Sequence, residues 1–555
     1  MSPSSSARSG GARNLADLVS DAARRDKAHP ALIELSGGRE LTWGQLDAAV
    51  DVEVARLVGH GLLPGQRVAL RMPTSAAFCV SLFGVLRAGG VAVPVGSGAA
   101  GRELDQMLGS SAPDLVVAAP GDSTVDDVAA RIGATRLDPP PTDLPARAAG
   151  TPADPAPGPA ASGEDLAVLV FTSGTSGRPR GVMLSHRALL ANLRQCAALR
   201  PAPMTAADRV LLALPLFHSY GLGPGLLQVA NSAATAVLAE RFDAEESLDA
   251  MHRCRVTVVV GVPPMYHAWL RLAPERLAEG MRTVRLFSSG AAPLESSVLT
   301  RIREVTGLDV FEGYGLTEAG PVVTSTLVRG VAKPGSVGRP LPGVPALGVE
   351  PVDLRLVDAA GGPLPTEGDD EDAGGTGVVA VRGPNLFSGY WPDGAFGPAE
   401  LPGLGPGWIR TGDVGYLDTD GDLHLVDRVD DLIIINGFNV YPREVEDVLL
   451  EHPGVREAAA VGVPHAGSGE AVRVVLVPVQ GQEPSVAEIL EHCRSRLARF
   501  KVPVEVELAE SLPHLPTGKL ARRRLRAGGG VAGVTWPGSS EPTSAGTGDT
   551  DADLF

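Results

Sequence analysis

The sequence has few of the residues that mark secreted, metal-binding or membrane-spanning proteins. Its 555 residues include only four cysteines, Cys79, Cys196, Cys254 and Cys493, which lie far apart without metal-ligand spacing. Such isolated thiols are typical of a reducing compartment. No apolar run reaches the ~18 residues of a spanning helix, and the N-terminal segment lacks the apolar core of a secretory signal. We therefore expect a cytoplasmic protein with no transmembrane segment.

Lysine is also scarce, and positive charge as a whole is outweighed by negative charge. Lysine and arginine together number 48, yet only four of them are lysines: Lys27, Lys333, Lys501 and Lys519. The formal net charge of −17 disfavours nucleic acid as a main partner. In so arginine-rich a chain, a lysine retained beside a candidate site is notable, because ammonium and guanidinium groups differ in shape and hydration.

Composition along the chain predicts a large domain, a small domain and polar tails. Apolar residues make up 44% and charged residues 20%, as in ordinary soluble proteins, and the chain is too long for one core. Residues 1–14 and the acidic tail 528–555 are predicted to be disordered. A change in the pattern of residues after about residue 427 predicts a large domain over 15–427, a hinge at 428–430 and a small α+β domain over 431–527.

Short apolar stretches in the large domain predict a buried parallel sheet. The stretches "RVLLALPLFHSYG" from Arg209, "VTVVVGVPPMY" from Val256 and "TVRLFSSGAAPL" from Thr283 run apolar and then break into small, polar or proline residues. Helix-like segments separate them, a pattern typical of parallel strands covered by helices. Ligands of such sheets bind beyond the carboxyl ends of the strands. The predicted fold class is therefore α/β with mixed or parallel sheets, plus a small mobile α+β lid.

A segment rich in glycine and hydroxyl groups follows the strand-like "LAVLVF", Leu166 to Phe171. It reads "TSGTSGRPRG", and a helix-like stretch opens at Ser185. Its glycines, hydroxyls and arginines suit a polyphosphate, although the spacing does not match the standard P-loop. A solvated turn between a strand and a helix is the alternative. The candidate phosphate-binding residues are Thr172, Ser173, Gly174, Thr175, Ser176, Gly177 and Arg180.

Seven motifs stand in an order that resembles the adenylate-forming superfamily of acyl-CoA synthetases, peptide-synthetase adenylation domains and luciferases. They read "TSGTSGRPRG", "LPLFHSYG", "SSGAAP", "EGYGLTEAG", "WIRTGD", "DRVDDLIIINGFNVYPREVE" and "LPTGK". The resemblance covers roughly residues 30–527. It implies an AMP-forming acyl-CoA synthetase that uses ATP and Mg²⁺ to convert a carboxylic acid into an acyl-adenylate, and then transfers the acyl group to coenzyme A.

Two of these motifs hold residue types that suit a nucleotide and a cation. Glycines flank Tyr314, whose ring can stack on a planar base; a buried core tyrosine is the alternative. Thr317 offers a hydroxyl to a phosphate, and Glu318 offers a hard oxygen to Mg²⁺ unless it is a surface carboxylate. The resemblance makes Asp413 the ribose anchor, with Arg428 as a second contact, rather than a turn-capping residue. The remaining nucleotide candidates are Gly290, Ala291, Ala292, Glu312, Gly313 and Gly315.

Several further positions acquire roles only through the resemblance. Lys519 in "LPTGK" would bridge the substrate carboxylate and the α-phosphate; a solvated lysine is the alternative. Asp430 in "DRVDD" takes the hinge position between the two domains, and Gly437 and Phe438 fall beside the thiol tunnel. The candidate catalytic residues are Lys519, Thr317, Glu318 and His218.

Two departures from the family pattern concern the phosphate loop and the acid. Arg180 stands where the family usually has lysine, which keeps the charge. His218 stands where amino-acid-activating members usually have aspartate, so an α-amino acid is disfavoured. The candidate acyl pocket consists of Phe217, His218, Gly261, Val262, Pro263 and Met265.

This pocket is mostly apolar, so we predict a medium- or long-chain fatty acid as the substrate. Three alternatives remain open. The acid could be an aryl acid, or the acceptor could be the phosphopantetheine arm of an acyl carrier protein instead of coenzyme A. The chain could also be a catalytically silent binding protein, although its retention of Lys519, Glu318 and Asp413 argues against silence.

Overall fold

The structure is a computed structural model that describes residues 13–99, 101–142, 161–173, 179–358, 360–364, 375–428, 431, 433–435, 438–465, 469–482, 484–497, 501–514 and 520–526. The chain divides into two units, Met1–Leu425 and Val426–Phe555. Asn14, within the predicted N-terminal tail, is buried, and its amide donates to the carbonyl oxygens of Leu86 at 3.0 Å and Ala161 at 2.9 Å. Most of both predicted tails lies outside the described residues.

The secondary structure alternates strands and helices through most of the large unit. In chain order the strands are β1 (Pro30–Glu34), β2 (Glu40–Thr42), β3 (Arg67–Arg71), β4 (Val91–Pro94), β5 (Leu115–Ala118), β6 (Thr135–Leu137), β7 (Leu166–Ser173), β8 (Pro179–Ser185), β9 (Arg209–Leu212), β10 (Thr235–Leu238), β11 (Val258–Gly261), β12 (Leu286–Ser289), β13 (Val310–Gly315), β14 (Val322–Ser325), β15 (Arg339–Pro340), β16 (Asp353–Val357), β17 (Gly377–Arg382), β18 (Ala399–Leu401), β19 (Gly405–Leu417), β20 (Leu423–Arg428), β21 (Ile433–Ile435), β22 (Phe438–Val440), β23 (Val455–His465), β24 (Gly469–Pro478) and β25 (Glu505–Leu508).

The α-helices include the helix-like segments that separate the apolar stretches in the sequence. In chain order they are α1 (Asp17–Arg25), α2 (Trp43–Gly59), α3 (Ala76–Arg87), α4 (Gly101–Ser111), α5 (Ser123–Ile132), α6 (His186–Ala197), α7 (Gln228–Ser232), α8 (Ala244–Cys254), α9 (Pro263–Trp269), α10 (Pro274–Met281), α11 (Ser296–Thr306), α12 (Pro442–Leu450), α13 (Val486–Arg494) and α14 (Arg522–Arg526). A π-helix, Gly221–Leu227, precedes α7. Across the described ranges, every helix is too short or too polar to cross a membrane.

A nine-stranded sheet in the large unit contains the three apolar stretches that the sequence indicated. Its order is β15-β14-β13-β12-β11-β9-β10-β1-β2. The strands from β13 to β1 pair in parallel, and the outer pairs at both edges are antiparallel. Val210 and Leu211 on β9 and Val259 on β11 have no exposed surface, as expected for strands that helices cover on both faces.

A six-stranded sheet carries the predicted phosphate loop. Its order is β6-β5-β3-β4-β7-β8, parallel except for the antiparallel pair β7 and β8. The loop therefore joins two strands, and β8 lies between it and the helix that the sequence indicated at Ser185. Val182 and Leu184 on β8 are buried, so the second strand also contributes side chains to the hydrophobic core. Helix α6 then starts as expected, with the Ser185 hydroxyl accepting from the Ala188 N–H at 3.2 Å.

The remaining strands form two five-stranded sheets. Strands β16 to β20 make an antiparallel sheet of order β16-β17-β19-β18, with β20 beside β19. In the small unit the order is β22-β21-β24-β23, with β25 parallel to β24, and helices α12 and α13 contribute Val445 and Ile489 to its core. The predicted fold class, a large α/β domain with a smaller α+β domain, is confirmed.

Candidate active site

Two predicted nucleotide contacts from distant parts of the chain touch at the end of β13. Tyr314 donates its hydroxyl to Oδ2 of Asp413 on β19 at 2.6 Å. The backbone N–H of Asp413 donates to Oγ1 of Thr411 at 3.1 Å, which fixes the stretch of β19 that carries the carboxylate. Tyr314 is only 8% exposed, so most of its ring packs inside the protein. The structure thus joins Tyr314 to Asp413, and base stacking by Tyr314 stays a prediction.

The turn after β13 brings Thr317 against the motif "LPLFHSYG". The hydroxyl oxygens of Thr317 and Ser219 lie 3.0 Å apart, and both side chains are buried. Gly315 permits this turn, because a Cβ there would lie 1.9 Å from the carbonyl oxygen of Pro321. The glycine before Thr317 is therefore required by the close approach of two backbone segments.

Two buried asparagines hold the same turn from outside. Asn192 on α6 donates to the carbonyl oxygen of Val322 at 2.7 Å and accepts from the Val322 N–H at 3.1 Å. Asn385 donates to the carbonyl oxygen of Ala319 at 2.7 Å. Both residues lie outside the recognised motifs, so the sequence alone did not indicate them. Their role follows from contacts between segments that are far apart in the sequence.

Glu318 is held by a tyrosine that the sequence analysis also missed. The hydroxyl of Tyr390 donates to Oε1 of Glu318 at 2.7 Å, and the Phe387 N–H donates to the carbonyl oxygen of Glu318 at 2.9 Å. The guanidinium carbon of Arg180 lies 5.5 Å from the centre of the Tyr390 ring. Arg180 and Glu318, which the sequence predicted as phosphate and metal contacts, are therefore joined through one side chain. Its place in the glycine-flanked "GYWPDG" is the sequence signal by which Tyr390 could have been found.

The predicted nucleotide contacts at residues 290–292 follow β12, and one of them has an unusual backbone conformation. Ala291 has φ +68°, a left-handed conformation that costs a residue with a Cβ energy. A Cβ on Gly290 would lie 2.9 Å from the ring of Tyr220, so only glycine fits there. Glu312 supports the loop by accepting from the Leu294 N–H at 3.1 Å. Three further nucleotide candidates, after β12 and on β13, are half-buried: Ala292, Gly313 and Gly315.

Phe217 and His218, in the predicted acyl pocket, are half-exposed. The Phe217 ring lies against Gly96, where a Cβ would be 3.1 Å from it. Nδ1 of His218 accepts from the Tyr220 N–H at 3.3 Å. Burial raises the pKa of the Tyr220 phenol to about 12, so this hydroxyl stays protonated at neutral pH.

The second half of the predicted acyl pocket lies mostly in the core. Val262 is half-exposed, whereas Gly261, Pro263 and Met265 are buried. A Cβ on Gly261 would lie 2.9 Å from the ring of Tyr266. Behind this segment the fully buried rings of Tyr266, Trp269 and Phe287 pack edge to face, with centres 5.5 and 6.3 Å apart for the two contacts of Tyr266. The wall behind Gly261 is therefore filled by aromatic side chains.

Several predicted residues fall outside the described part of the chain and stay predictions: Gly174, Thr175, Ser176, Gly177, Asp430, Gly437 and Lys519. Thr172 is described and half-buried on β7. Only the backbone is described for Ser173 on β7, Arg428 on β20 and Phe438 on β22. His514 and Leu520, which flank the segment that contains Lys519, form an antiparallel bridge.

The carboxylate of Glu318 fits the predicted Mg²⁺, because carboxylate oxygens are hard donors that this ion prefers. The hydroxyl of Thr317, next to it in the chain, suits the predicted phosphate contact. Within the described residues, the one group of three carboxylates close enough to share an ion lies elsewhere, at Asp418, Asp420 and Asp422. Nζ of Lys333 lies 2.6 Å from Asp418 and 2.8 Å from Asp420, and Asp422 is paired with Arg339 at 3.1 Å, so protein cations already balance much of the charge of this acidic group.

Comparison with known families decides what these residues belong to. The family described as "AMP-binding enzyme" matches residues 19–391, and the family described as "AMP-binding enzyme C-terminal domain" matches residues 444–519. The chain belongs to the AMP-binding enzyme family. The predicted membership of the adenylate-forming superfamily and the predicted enzyme class, an AMP-forming acid–thiol ligase, are both confirmed.

Curated relatives and solved structures resemble this AMP-binding enzyme over nearly all of its length. Feruloyl-CoA synthase of Amycolatopsis sp is 35% identical, over 88% of this chain and 94% of that protein. Long-chain-fatty-acid–CoA ligase of Escherichia coli O157:H7 is 32% identical, over 93% of this chain and 94% of that protein. The structure of ATP-bound MatB from Rhodopseudomonas palustris is 33% identical with a TM-score of 0.81, covering 93% of this chain and 99% of that one.

Proposed function

We propose that this AMP-binding enzyme activates an apolar carboxylic acid with ATP and transfers the acyl group to coenzyme A, releasing AMP and pyrophosphate. The observation that supports it most is that predicted nucleotide and phosphate contacts from distant segments lie together in the large unit. Tyr314 touches Asp413, and Arg180 is joined to Glu318 through Tyr390. A carboxylate is a poor acyl donor, because its oxygen leaves poorly; converting it to an acyl-adenylate supplies AMP as a good leaving group.

In the first half-reaction, each group of site residues holds one part of ATP. Asp413 accepts hydrogen bonds from the ribose hydroxyls, with the Tyr314 hydroxyl fixing its carboxylate. The small side chains of residues 290–292 leave backbone exposed beside the adenine. The loop at 172–177 and Arg180 bind the phosphates through N–H groups, hydroxyls and positive charge.

Glu318 would hold Mg²⁺, which would supply positive charge to offset that of the departing pyrophosphate, and Thr317 would donate its hydroxyl to a phosphate. Lys519 places its ammonium between the acid's carboxylate and the α-phosphate, where negative charge develops as the new bond forms. In the second half-reaction the thiol attacks the acyl carbon and AMP leaves. We expect a rotation about Asp430 to withdraw Lys519 and bring in the loop of Gly437 and Phe438 between the two steps.

The acid proposed first is a medium- or long-chain fatty acid. His218 stands where a carboxylate would be needed to pair with an α-ammonium group, and the half-exposed surfaces of Phe217 and Val262 are apolar. The relative from Escherichia coli O157:H7, whose similarity covers 93% of this chain, is named as a ligase of long-chain fatty acids.

An aryl acid is the second candidate, and one structural feature favours it. The fully buried rings of Tyr266, Trp269 and Phe287 fill the space behind Gly261, which opposes the passage of a long chain in that direction. The relative from Amycolatopsis sp is named as a feruloyl-CoA synthase. Compact planar acids would fit a pocket closed on this side.

An acid panel with two acceptors distinguishes these proposals. Octanoate, palmitate, ferulate, benzoate and an α-amino acid would each be supplied with ATP and Mg²⁺, and pyrophosphate release and thioester formation measured with coenzyme A or with a carrier protein bearing phosphopantetheine. We expect the highest kcat/KM with a fatty acid and coenzyme A. Faster turnover of ferulate or benzoate would select the aryl acid. A preference for the α-amino acid, or for the carrier protein, would contradict the proposal.

A further inference from the structure

Arg180 lies beside two aromatic side chains that are themselves in contact. Its guanidinium carbon is 5.5 Å from the centre of the Tyr390 ring and 5.5 Å from the centre of the Phe396 ring. The two rings are 6.4 Å apart and meet edge to face at 66°. Aromatic faces attract guanidinium groups electrostatically, so two rings restrict the directions in which this long side chain can point.

The backbone around these rings is fastened to the strand that carries Arg180. The Trp391 N–H donates to the carbonyl oxygen of Gly181 at 2.8 Å, and the Met183 N–H donates to that of Gly389 at 3.1 Å. Within the loop, the Tyr390 N–H donates to the carbonyl oxygen of Ala395 at 3.0 Å. The positions of both rings are therefore fixed relative to β8.

Phe396 carries two features that are unfavourable in a purely structural residue. Its φ is +57°, in the left-handed region that strains residues with a Cβ, and 77% of its surface is exposed. Neither burial nor backbone preference accounts for a phenylalanine here. Strained backbone that persists beside a binding loop points to a function of the side chain. Among the described residues, the Phe396 ring makes an aromatic contact with Tyr390 and a cation–π contact with Arg180.

We propose that Tyr390 and Phe396 form an aromatic clamp that positions the Arg180 guanidinium for the β- and γ-phosphates of ATP. This rests on the proposed function. The clamp explains how an arginine serves where the family usually has lysine, because a flexible guanidinium that is oriented in advance loses less conformational entropy on binding. Through its hydroxyl, Tyr390 also ties the clamp to Glu318, so the cation and the carboxylate keep a fixed relation. Tyr390 and Phe396 are positioning residues, which act through Arg180.

The Phe396→Gly variant tests the clamp without damaging the fold. Glycine removes the ring and adopts positive φ freely, so the variant should unfold at the wild-type temperature or above it. We expect ATP binding measured by calorimetry, and the KM for ATP in pyrophosphate release, to weaken about two- to fivefold, the range of one exposed cation–π contact. Phe396→Tyr, which keeps a ring, should restore both. Thioester formation from supplied acyl-adenylate should not change, since that half-reaction has no β- or γ-phosphate.

A double substitution shows whether the ring acts through Arg180. Arg180→Met keeps the length of the side chain and removes the guanidinium. In that background, Phe396→Gly should cause no further loss of ATP affinity. Wild-type ATP affinity in the Phe396→Gly enzyme, or an equal loss in the Arg180→Met background, would overturn the clamp. If wild-type enzyme released no pyrophosphate with any acid while still binding ATP, the proposed function would fail and the binding measurements would still decide on the clamp.

Discussion

Among single residues, the contact between Tyr314 and Asp413 tests nucleotide binding most simply. Tyr314→Phe removes only the hydroxyl that donates to Asp413 at 2.6 Å. A hydrogen bond to a charged group contributes roughly 1.5 kcal/mol or more, so the KM for ATP should rise by about tenfold. Steady-state pyrophosphate release at saturating acid measures it. The KM for coenzyme A serves as the internal control and should stay constant. An unchanged KM for ATP would show that Asp413 does not need this hydroxyl.

Lys519 gives a second prediction at this scale. Lys519→Ala should slow adenylation by about 10²–10³, the usual loss for one preorganised charge at a transition state. It should leave thioester formation from supplied acyl-adenylate close to wild type, because the mechanism uses Lys519 only in the first step. The two half-reactions would be measured separately in one preparation. Equal losses in both would refute this division of labour.

The sequence predicted residues that recognised motifs contain and missed those that support them. Tyr314, Thr317, Glu318 and Asp413 were identified from residue type and order, and the structure places Tyr314 on Asp413. Tyr390 escaped notice, because its contact with Glu318 spans 72 residues and depends on tertiary structure. A sequence motif records which residue types meet the ligand. It does not record which side chains orient them.

Among the secondary-structure elements, helix α6 contains the clearest pH-sensitive group. His186, its first residue, is fully buried, and its Nδ1 accepts from the Leu15 N–H at 3.2 Å. Burial lowers the pKa of this imidazole to about 4, although Asp165 and Asp17 oppose the shift. Protonation would remove the acceptor and place a charge in the core.

This histidine predicts a loss of stability in mild acid. The pKa of His186 is about 4 in the folded protein and the ordinary 6.5 in the unfolded chain. Below pH 6.5 the unfolded chain therefore binds a proton that the folded protein does not. The free energy of unfolding is at its full value above pH 6.5 and falls as the pH falls from 6.5 towards 4. Between pH 7 and 5 the free energy of unfolding should fall by about 2 kcal/mol more in wild type than in His186→Asn, which keeps an acceptor that does not titrate. Denaturant unfolding at both pH values measures the difference. Parallel pH profiles would contradict the assignment.

The elements themselves were predictable to different degrees. The apolar stretches that became β9, β11 and β12 were recognisable because strands buried on both faces are continuously apolar. Strand β8 was not, since "PRGVMLS" has proline and glycine among its first three residues and runs directly into a helix start at Ser185. Only its pairing with β7, Thr172 opposite Arg180, makes it a strand. That pairing sets the direction of β8, which carries Arg180 beside Tyr390.

For the whole molecule, the proposed hinge separates the two half-reactions. Asp430→Pro fixes φ near −65° and restricts the preceding residue, so a hinge that must change its dihedrals could no longer do so. We expect pyrophosphate release to survive and acyl-CoA formation from preformed acyl-adenylate to fall sharply. Asp430→Ala, which leaves φ free, is the matched control and should retain both activities. Near-wild-type rates for both steps in the proline variant would exclude Asp430 as the hinge.

The central claim is that the chain forms an acyl-adenylate before any thiol takes part. Exchange of labelled pyrophosphate into ATP, measured with wild-type enzyme, Mg²⁺ and a fatty acid in the absence of coenzyme A, tests this directly. The account predicts exchange that depends on the acid, is abolished when the acid is omitted and is reduced by Lys519→Ala. Exchange without acid, or ADP and phosphate as products in place of AMP and pyrophosphate, would contradict it.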